Sequence, residues 1–439
     1  MPDLGMTTEE HHDVVVVGAG LAGLAAADRL AGSGVDVVVL EARARVGGRV
    51  HSHHFEDGQW CERGAEFLDA THAEVLALVA RFGLQTVDAG PALNERVRRL
   101  DVGGRAVALE ELPTVVAEHA RWQEALAELA APIDPDDPLG SAAAAALDGR
   151  SVDDLVTSLG LSVAARVLVG RELRTEFMVP PAELSQLHLA WVTAAHRRAG
   201  DGREAFRVRG GLDQLAEGLG ALLGERVRLG DAVSSIDADL GAVVTASGAR
   251  LRGDRVIIAV PPPVVARIDV VPRLPSEVVF VGMGIGAKVS TQYERRVWLD
   301  QASDGSVVSD RAFGELWETT VGQPGDRGVL TALLSSHDGA ALGALPDVGE
   351  RVRKEVARLF PGSRGLAIDT VTTDWTNDPW SLGCYAAFGP GQLAGAWPAF
   401  RRRYGRVLLA GEHTDELAGY MEGALRSGRR VAASILAGG

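Results

Sequence analysis

The stretch Asp13-Val14-Val15-Val16-Val17-Gly18-Ala19-Gly20-Leu21-Ala22-Gly23 carries the reading of the fold. Its β-branched run predicts a buried strand ending at Gly18, and the apolar spacing from Leu21 to Leu30, with small residues at Ala22, Ala25 and Ala26, predicts a helix. Gly32-Ser33-Gly34 stops that helix, and Val35 to Leu40 reads as a second buried strand closed by Glu41. Strand, helix and strand in this order form one unit with a parallel pair. Gly18 permits the tight turn, Gly20 lets the backbone approach a pyrophosphate, and Gly23 lets helix and strand pack closely. The helix N-terminus then turns unpaired N–H groups and the positive end of its dipole toward phosphates. Glu41, 18 residues beyond Gly23, ends the second strand. A carboxylate there accepts from ribose hydroxyls and repels a 2′-phosphate, which disfavours NADP.

The rest of the composition agrees with a soluble globular enzyme. At 439 residues, 46% hydrophobic and 23% charged, the chain is long enough for two domains and not disordered. A formal net charge of -15 argues against nucleic acid or an anionic membrane as a partner, because both reward clustered Lys and Arg. The longest apolar stretches, Val14 to Val17 and Ile257 to Pro263, fall far short of the roughly 20 residues that span a bilayer. Met1 to His12 lacks the pattern of a signal peptide, and Cys61 and Cys384 are too few for a disulfide framework. A cytoplasmic location is therefore expected, and a homodimer is left open.

Helical spacing recurs from Ala73 to Phe82, and irregular chain from Pro91 leads to a hairpin turn at Gly103-Gly104. Leu112 to Ala131 and Ser141 to Leu147 read as Ala- and Leu-rich helices, with Ser151 and Asp154 as a capping pair for the next. Strand patterns return at Val227 to Leu229, Val243 to Ala246 and Arg255 to Val260, then around Lys288 to Tyr293, Val329 to Leu334 and Arg406 to Ala410. The expected fold is α/β: a Rossmann-like dinucleotide-binding domain assembled from residues 12–88, 205–276 and 385–439. The substrate domain would come from the mostly helical 89–204 and from 277–384.

Just past Glu41 stand Arg43, Arg45 and then Gly47-Gly48-Arg49. A second glycine pair beside arginines suits a long cofactor whose pyrophosphate and flavin both need close backbone approach, so the dinucleotide reads as FAD. The run Glu41 to Arg49 and then Gly58-Gln-Trp-Cys-Glu-Arg-Gly-Ala-Glu-Phe67 resembles the flavin-containing amine oxidase family, which includes the monoamine and polyamine oxidases. Gly383-Cys-Tyr385, Ala410-Gly-Glu-His-Thr414 and Gly419-Tyr-Met-Glu-Gly-Ala424 stand in that family's order, and Arg209-Gly-Gly211 and Ala259-Val-Pro-Pro262 lie between. The likeness is weak in the helical insertion and from Gln301 to Asp338, where substrate choice is expected to reside.

The resemblance implies a two-domain, monoamine oxidase-like topology. It implies that Tyr385 and Tyr420 are two aromatic walls holding an amine against the flavin, oriented by their ring quadrupoles. It implies further that Lys288 holds a water near the reactive flavin nitrogen, that Trp375 lies beside the flavin ring, and that Gly411, Glu412 and Met421 belong to the cofactor site with Arg43, Gly48 and Arg49. In the mammalian monoamine oxidases the cysteine before the cage tyrosine carries a thioether to the flavin, and here it is Cys384, so covalent attachment is left open. Glu204 precedes Phe206 to Gly211, where the family lines its substrate cavity; facing inward, it could pair with a second amino group. The trio His51, His53 and His54 lacks an acidic or thiol partner at ligand spacing, and no metal is expected.

The expected reaction takes a hydride from the α-carbon of a primary or secondary amine to FAD, reduces molecular oxygen to hydrogen peroxide and leaves an imine that hydrolyses to an aldehyde. Alternatives on the same frame are a desaturase or an amino-acid oxidase, the latter needing an arginine such as Arg171, Arg174 or Arg197 to clamp a carboxylate. A flavin-binding module without turnover is the reading from outside enzymology.

Overall fold

The computed structural model describes residues 9–89, 99–200 and 203–438. The expected irregular chain from Pro91 lies largely outside them. The hairpin beyond it forms, with Arg99–Val102 antiparallel to Arg105–Ala108 around Gly103-Gly104.

The opening motif folds as strand Glu10–Val17, helix Leu21–Gly32 and strand Val37–Glu41, with the two strands parallel in the register Val14 to Val37 and Val17 to Leu40. The second strand begins two residues later than its sequence suggests because the Val35 N–H closes the helix terminus, donating to Leu30 O at 3.1 Å. Glu10–Val17 is also parallel to Arg250–Ile258, which in turn is parallel to Val407–Leu409. An eight-stranded sheet thus gathers strands from three separated stretches of chain, in the order 269–271, 233–237, 242–245, 250–258, 10–17, 37–41 and 227–229, with 407–409 pairing to 250–258. A seven-stranded sheet runs 367–374, 286–293, 328–335, 315–318, 307–309, 99–102 and 105–108, giving the expected two-domain α/β topology. The region between is helical: Pro113–Ala130, Ala144–Asp148, Val152–Ser158, Val163–Phe177 and Gln186–Ala199. Ser151 and Asp154 form the capping box, each side chain accepting from the other's backbone N–H. The helix expected from Ser141 starts only at Ala144, because Ser141 Oγ accepts from Ala143 N at 3.2 Å and holds a turn there.

Small residues fix the layers. A Cβ at Gly23 would stand 2.0 Å from Gly18 O, so the helix can begin directly on the strand end only with glycine there. Likewise a Cβ at Gly428 would stand 2.1 Å from Ala22 O, which is how closely the last helix, Met421–Leu436, crosses the first. Gly428→Ala should therefore cost about 1–3 kcal/mol of stability through overpacking. The fall in thermal midpoint of the FAD-loaded protein is the measurement, and an unchanged midpoint would contradict the tight crossing.

Candidate active site

Parallel strands 10–17, 37–41, 250–258 and 407–409 all end on one side of the sheet, where ligands bind open α/β folds. A cavity of about 630 Å³ runs from these strand ends to the face of the second sheet. Its first half is a backbone cradle. Gly18 has φ +101°, and a Cβ at Gly20 would meet nothing within 4 Å, so its backbone is open to the cavity. The second glycine pair lies against the first: Gly47 N donates to Ala19 O at 2.8 Å, and a Cβ at Gly48 (φ +58°) would stand 3.4 Å from Gly20 Cα. Glu41 lines the cavity with its carboxylate held by the N–H groups of Ala19 (2.8 Å) and Arg43 (2.9 Å). These bonds leave lone pairs for hydroxyl donors. A bare backbone, a helix N-terminus and a fixed carboxylate suit the pyrophosphate and ribose of FAD. Gly23 does not line the cavity; it acts through packing.

Arg43 and Arg49 reach the cavity wall, with their guanidinium groups already engaged by protein. Arg43 donates to Asp378 and to Ser381 Oγ (2.8 Å). Arg49 donates to Glu412 Oε1 (2.9 Å) and to Cys384 O (2.6 Å). Glu412 also accepts from the N–H groups of Gly419 (2.8 Å) and Ala386 (3.2 Å). Burial pushes the Glu412 carboxyl up, and Arg49 with these donors overrides it, leaving it below its ordinary value. Gly411, whose φ of +144° admits this sharp entry, and Met421 complete that wall.

At the inner end Lys288 projects from strand Gly286–Tyr293 into the cavity. Its Nζ donates to Glu66 Oε2 (2.8 Å) and Gly64 O (2.9 Å), and lies 5.4 Å from the Trp317 ring centroid. Glu66 additionally accepts from Arg207 Nε (3.1 Å), Trp317 Nε1 (3.0 Å) and Thr319 Oγ1 (3.2 Å). Burial alone would raise its carboxyl, but Lys288 and Arg207 bring it down to about 2. Trp375, anchored by Nε1 to Arg63 O (2.9 Å), packs with Met178 and Cys384. Burial pushes the Cys384 thiol up to about 12.

Tyr385 and Tyr420 line the same cavity, and a Cβ at Gly419 would stand only 3.4 Å from Tyr385 Cδ2, so the chain carrying one ring abuts the other. Tyr420 is flanked edge-on by His72 (5.7 Å between centroids) and His196 (5.3 Å), and its Oη donates to Glu176. Arg203 Nη2 lies 2.9 Å from Glu176 Oε2. Glu204 also lines the cavity, in the left-handed conformation (φ 51°) with its N–H donating to Asp69 Oδ1 at 2.8 Å. Burial raises its carboxyl to about 7, with Arg203 opposing and Glu176 adding to the rise.

Sequence reasoning names Glu172 to Trp191 and Gln301 to Trp317 as sources of cavity walls without singling out Glu176, and it misses Arg203 and Asp69, which lack any motif. Glu66 and Trp317 were within reach, standing in or beside stretches already singled out. From Glu172 to Trp191 the cavity takes Thr175, Glu176 and Met178, and from Gln301 to Trp317 it takes Trp317. Arg171, Arg174 and Arg197 do not line it; Arg171 donates to Arg311 O and Arg197 to Ala127 O, each at 2.9 Å. His53 and His54 face Asp369 (3.7 Å) and Asp213 (3.9 Å) separately. Among the described residues no cluster of three or more potential metal ligands forms, and no helix is long and apolar enough to cross a membrane.

A doubly wound sheet with a glycine cradle, joined to a second sheet across a cavity walled by tyrosine, tryptophan and a buried lysine, defines a two-domain flavoprotein oxidoreductase. The chain belongs to the flavin-containing amine oxidoreductases, whose family profile matches residues 21–436. It is 28% identical to an L-amino acid dehydrogenase of Synechocystis sp. over 97% of this chain and 94% of that protein. The structure of putrescine oxidase bound to putrescine superposes with a TM-score of 0.87 at 26% identity, covering 98% of this chain and 100% of that one. Cyclohexylamine oxidase from Brevibacterium oxydans IH-35A superposes at 0.86 with 27% identity, covering 97% and 99%. The protein is an FAD-dependent oxidoreductase acting on amines.

The Glu66–Lys288 pair makes a pH prediction. A carboxyl lowered from 4.5 to about 2 on folding contributes stability that is complete above about pH 4.5 and is lost as pH falls through about 2. Lys288→Met lets that carboxyl rise, so its contribution disappears at higher pH, and breaking the buried pair costs about 3 kcal/mol near neutrality. Thermal melts between about pH 3 and 7 should show the variant's curve falling earlier on acidification; parallel curves would refute the assignment.

Proposed function

We propose that a primary or secondary amine enters as the free base between Tyr385 and Tyr420 and presents its α-carbon to the flavin. When bound, FAD accepts the α-carbon hydride and passes the electrons to oxygen, so that amine, oxygen and water become aldehyde, ammonia or a smaller amine, and hydrogen peroxide. The observation that carries the reading is the meeting, in one cavity, of the glycine cradle, Lys288 and both tyrosines. Tyr385 and Tyr420 orient the nitrogen with their ring faces, and Trp375, Met178 and Cys384 provide an apolar wall that limits water. Lys288, held by Glu66 Oε2, Gly64 O and, at 3.4 Å, Glu62 O, lines the cavity, and we assign to it a water near the reacting centre.

Charge separates amines from amino acids at the outer end of the cavity. Arg203 is the arginine available to a substrate carboxylate there, and it is paired with Glu176. Asp69, Glu176 and Glu204 surround the same space, which favours a cation over an anion. Glu204 is the residue we assign to a second amino group. Burial raises its carboxyl to about 7, so the preference in kcat/KM for a short diamine over a monoamine of equal length should grow as pH rises through about 7. In Glu204→Gln that pH dependence should vanish; a wild-type ratio that stays flat with pH removes Glu204 from the site.

Peroxide release with amines and not with L-amino acids tests the substrate class, and anaerobic mixing with an amine panel should bleach the flavin. Cys384 faces the cavity as a protonated thiol, with Sγ 3.8 Å from Gly286 O, and a thiol is a poor nucleophile. The flavin should therefore leave the chain on denaturation. Flavin fluorescence migrating with the polypeptide, and abolished in Cys384→Ala, would establish a thioether instead. With Cys61 also free, the enzyme is assigned to a reducing compartment inside the cell.

A further inference from the structure

Both cage hydroxyls end on the last turn of one helix, Val163–Phe177. The final carbonyls of a helix have no partner within it. Here Met178 N closes on Arg174 O at 2.9 Å, and the next carbonyl, Thr175 O, accepts from Tyr385 Oη at 2.8 Å. The adjacent side chain, Glu176, accepts from Tyr420 Oη. Thr175 is itself tied down, with Oγ1 donating to Glu315 Oε2 at 2.6 Å in the second sheet. Arg203 Nη2, from beyond helix Gln186–Ala199, lies 2.9 Å from Glu176 Oε2 and 3.4 Å from Tyr420 Oη. The helix belongs to the helical insertion, whereas both tyrosines follow the second sheet's last strand, Ala367–Asp374. The contacts thus join segments about 210 and 244 residues apart.

We propose that this helix end is the positioning element of the amine cage, and that Glu176 is a positioning residue that sets the Tyr420 ring by accepting its hydroxyl, with Arg203 holding the carboxylate in place. The proposal rests on the reading of Tyr385 and Tyr420 as the cage. Two consequences follow from the chemistry of the acceptors. Both hydroxyls are drawn away from the substrate, leaving ring faces as the contact surface. The two rings also differ: Tyr385 donates to a neutral carbonyl, whereas Tyr420 donates to an anion and lies within reach of Arg203, and a charge-assisted bond is the stronger of the two. Tyr420 is thereby the more firmly set of the two rings.

A double-mutant cycle on the FAD-loaded enzyme tests this, with benzylamine as the probe and kcat/KM as the readout. Glu176→Ala and Tyr420→Phe should each lower kcat/KM by about ten-fold, the size expected for one charge-assisted hydrogen bond, and the double variant should lose no more than either. Glu176→Gln, which keeps an acceptor oxygen, should recover most of the loss. Additive losses, or no effect of Glu176→Ala, overturn the proposal. A second readout is independent of turnover. The chain has four tyrosines, so the tyrosine doublet in the Raman spectrum should report the lost acceptor of the Tyr420 hydroxyl when wild type is compared with Glu176→Ala. The same comparison in the Tyr420→Phe background should show no change; a change of equal size there also overturns the proposal. If the wild type oxidises no amine, the amine reading fails, and the Raman comparison alone decides whether Glu176 holds Tyr420.

Discussion

The pairing of Arg49 with Glu412 is the constraint around which the site is built. Glu412 is almost wholly buried, and a carboxylate taken out of water persists only where charge and hydrogen bonds replace its hydration. Arg49 supplies the charge from the end of the second glycine motif; the N–H groups of Ala386 and Gly419 supply the bonds. Each N–H donor is one residue away from a cavity-lining tyrosine, Tyr385 or Tyr420. A single carboxylate therefore fixes the cradle, the loop of Tyr385 and the loop of Tyr420 to one another. Arg49 extends the same tie to the Cys384 carbonyl.

From that hub the cavity divides by charge. At the inner end the Lys288 ammonium is matched by Glu66, which also accepts from Arg207, Trp317 and Thr319. With the Lys288 ammonium and the Glu66 carboxylate matched to each other, the inner end can stay apolar elsewhere and still hold charge. The outer end is richer in carboxylates than in cations. Its arrangement is anchored by a helix terminus whose Thr175 carbonyl takes the Tyr385 hydroxyl and whose Glu176 carboxylate takes Arg203 and the Tyr420 hydroxyl.

Legibility in the sequence followed the range of the interaction. The cradle could be read because its chemistry is local: Gly18, Gly20, Gly23 and Glu41 lie within one strand-helix-strand unit, and each glycine answers a backbone need within a few residues. Lys288, Trp375, Cys384, Tyr385 and Tyr420 could be named through resemblance, because their neighbours form short recognisable runs. Glu176 and Arg203 escaped notice, since an acidic residue near the end of a helix and an arginine in a loop look like ordinary surface. Element ends shifted where a side chain or cap intervened, as at Ser141 and Val35.

Sequence alone determined a dinucleotide fold, because that follows from glycine conformational freedom, and a flavin-dependent amine oxidase frame, because short runs of residues resemble that family. Tertiary structure decided the rest of the site. It set Arg43 and Arg49 against protein carboxylates, placed Glu204 on the cavity wall beside Asp69, and hung both tyrosine hydroxyls on one helix end. The physical reason is that a buried charge or a free helix carbonyl is satisfied by whatever folding brings within about 3 Å, and its partner can stand anywhere in the chain.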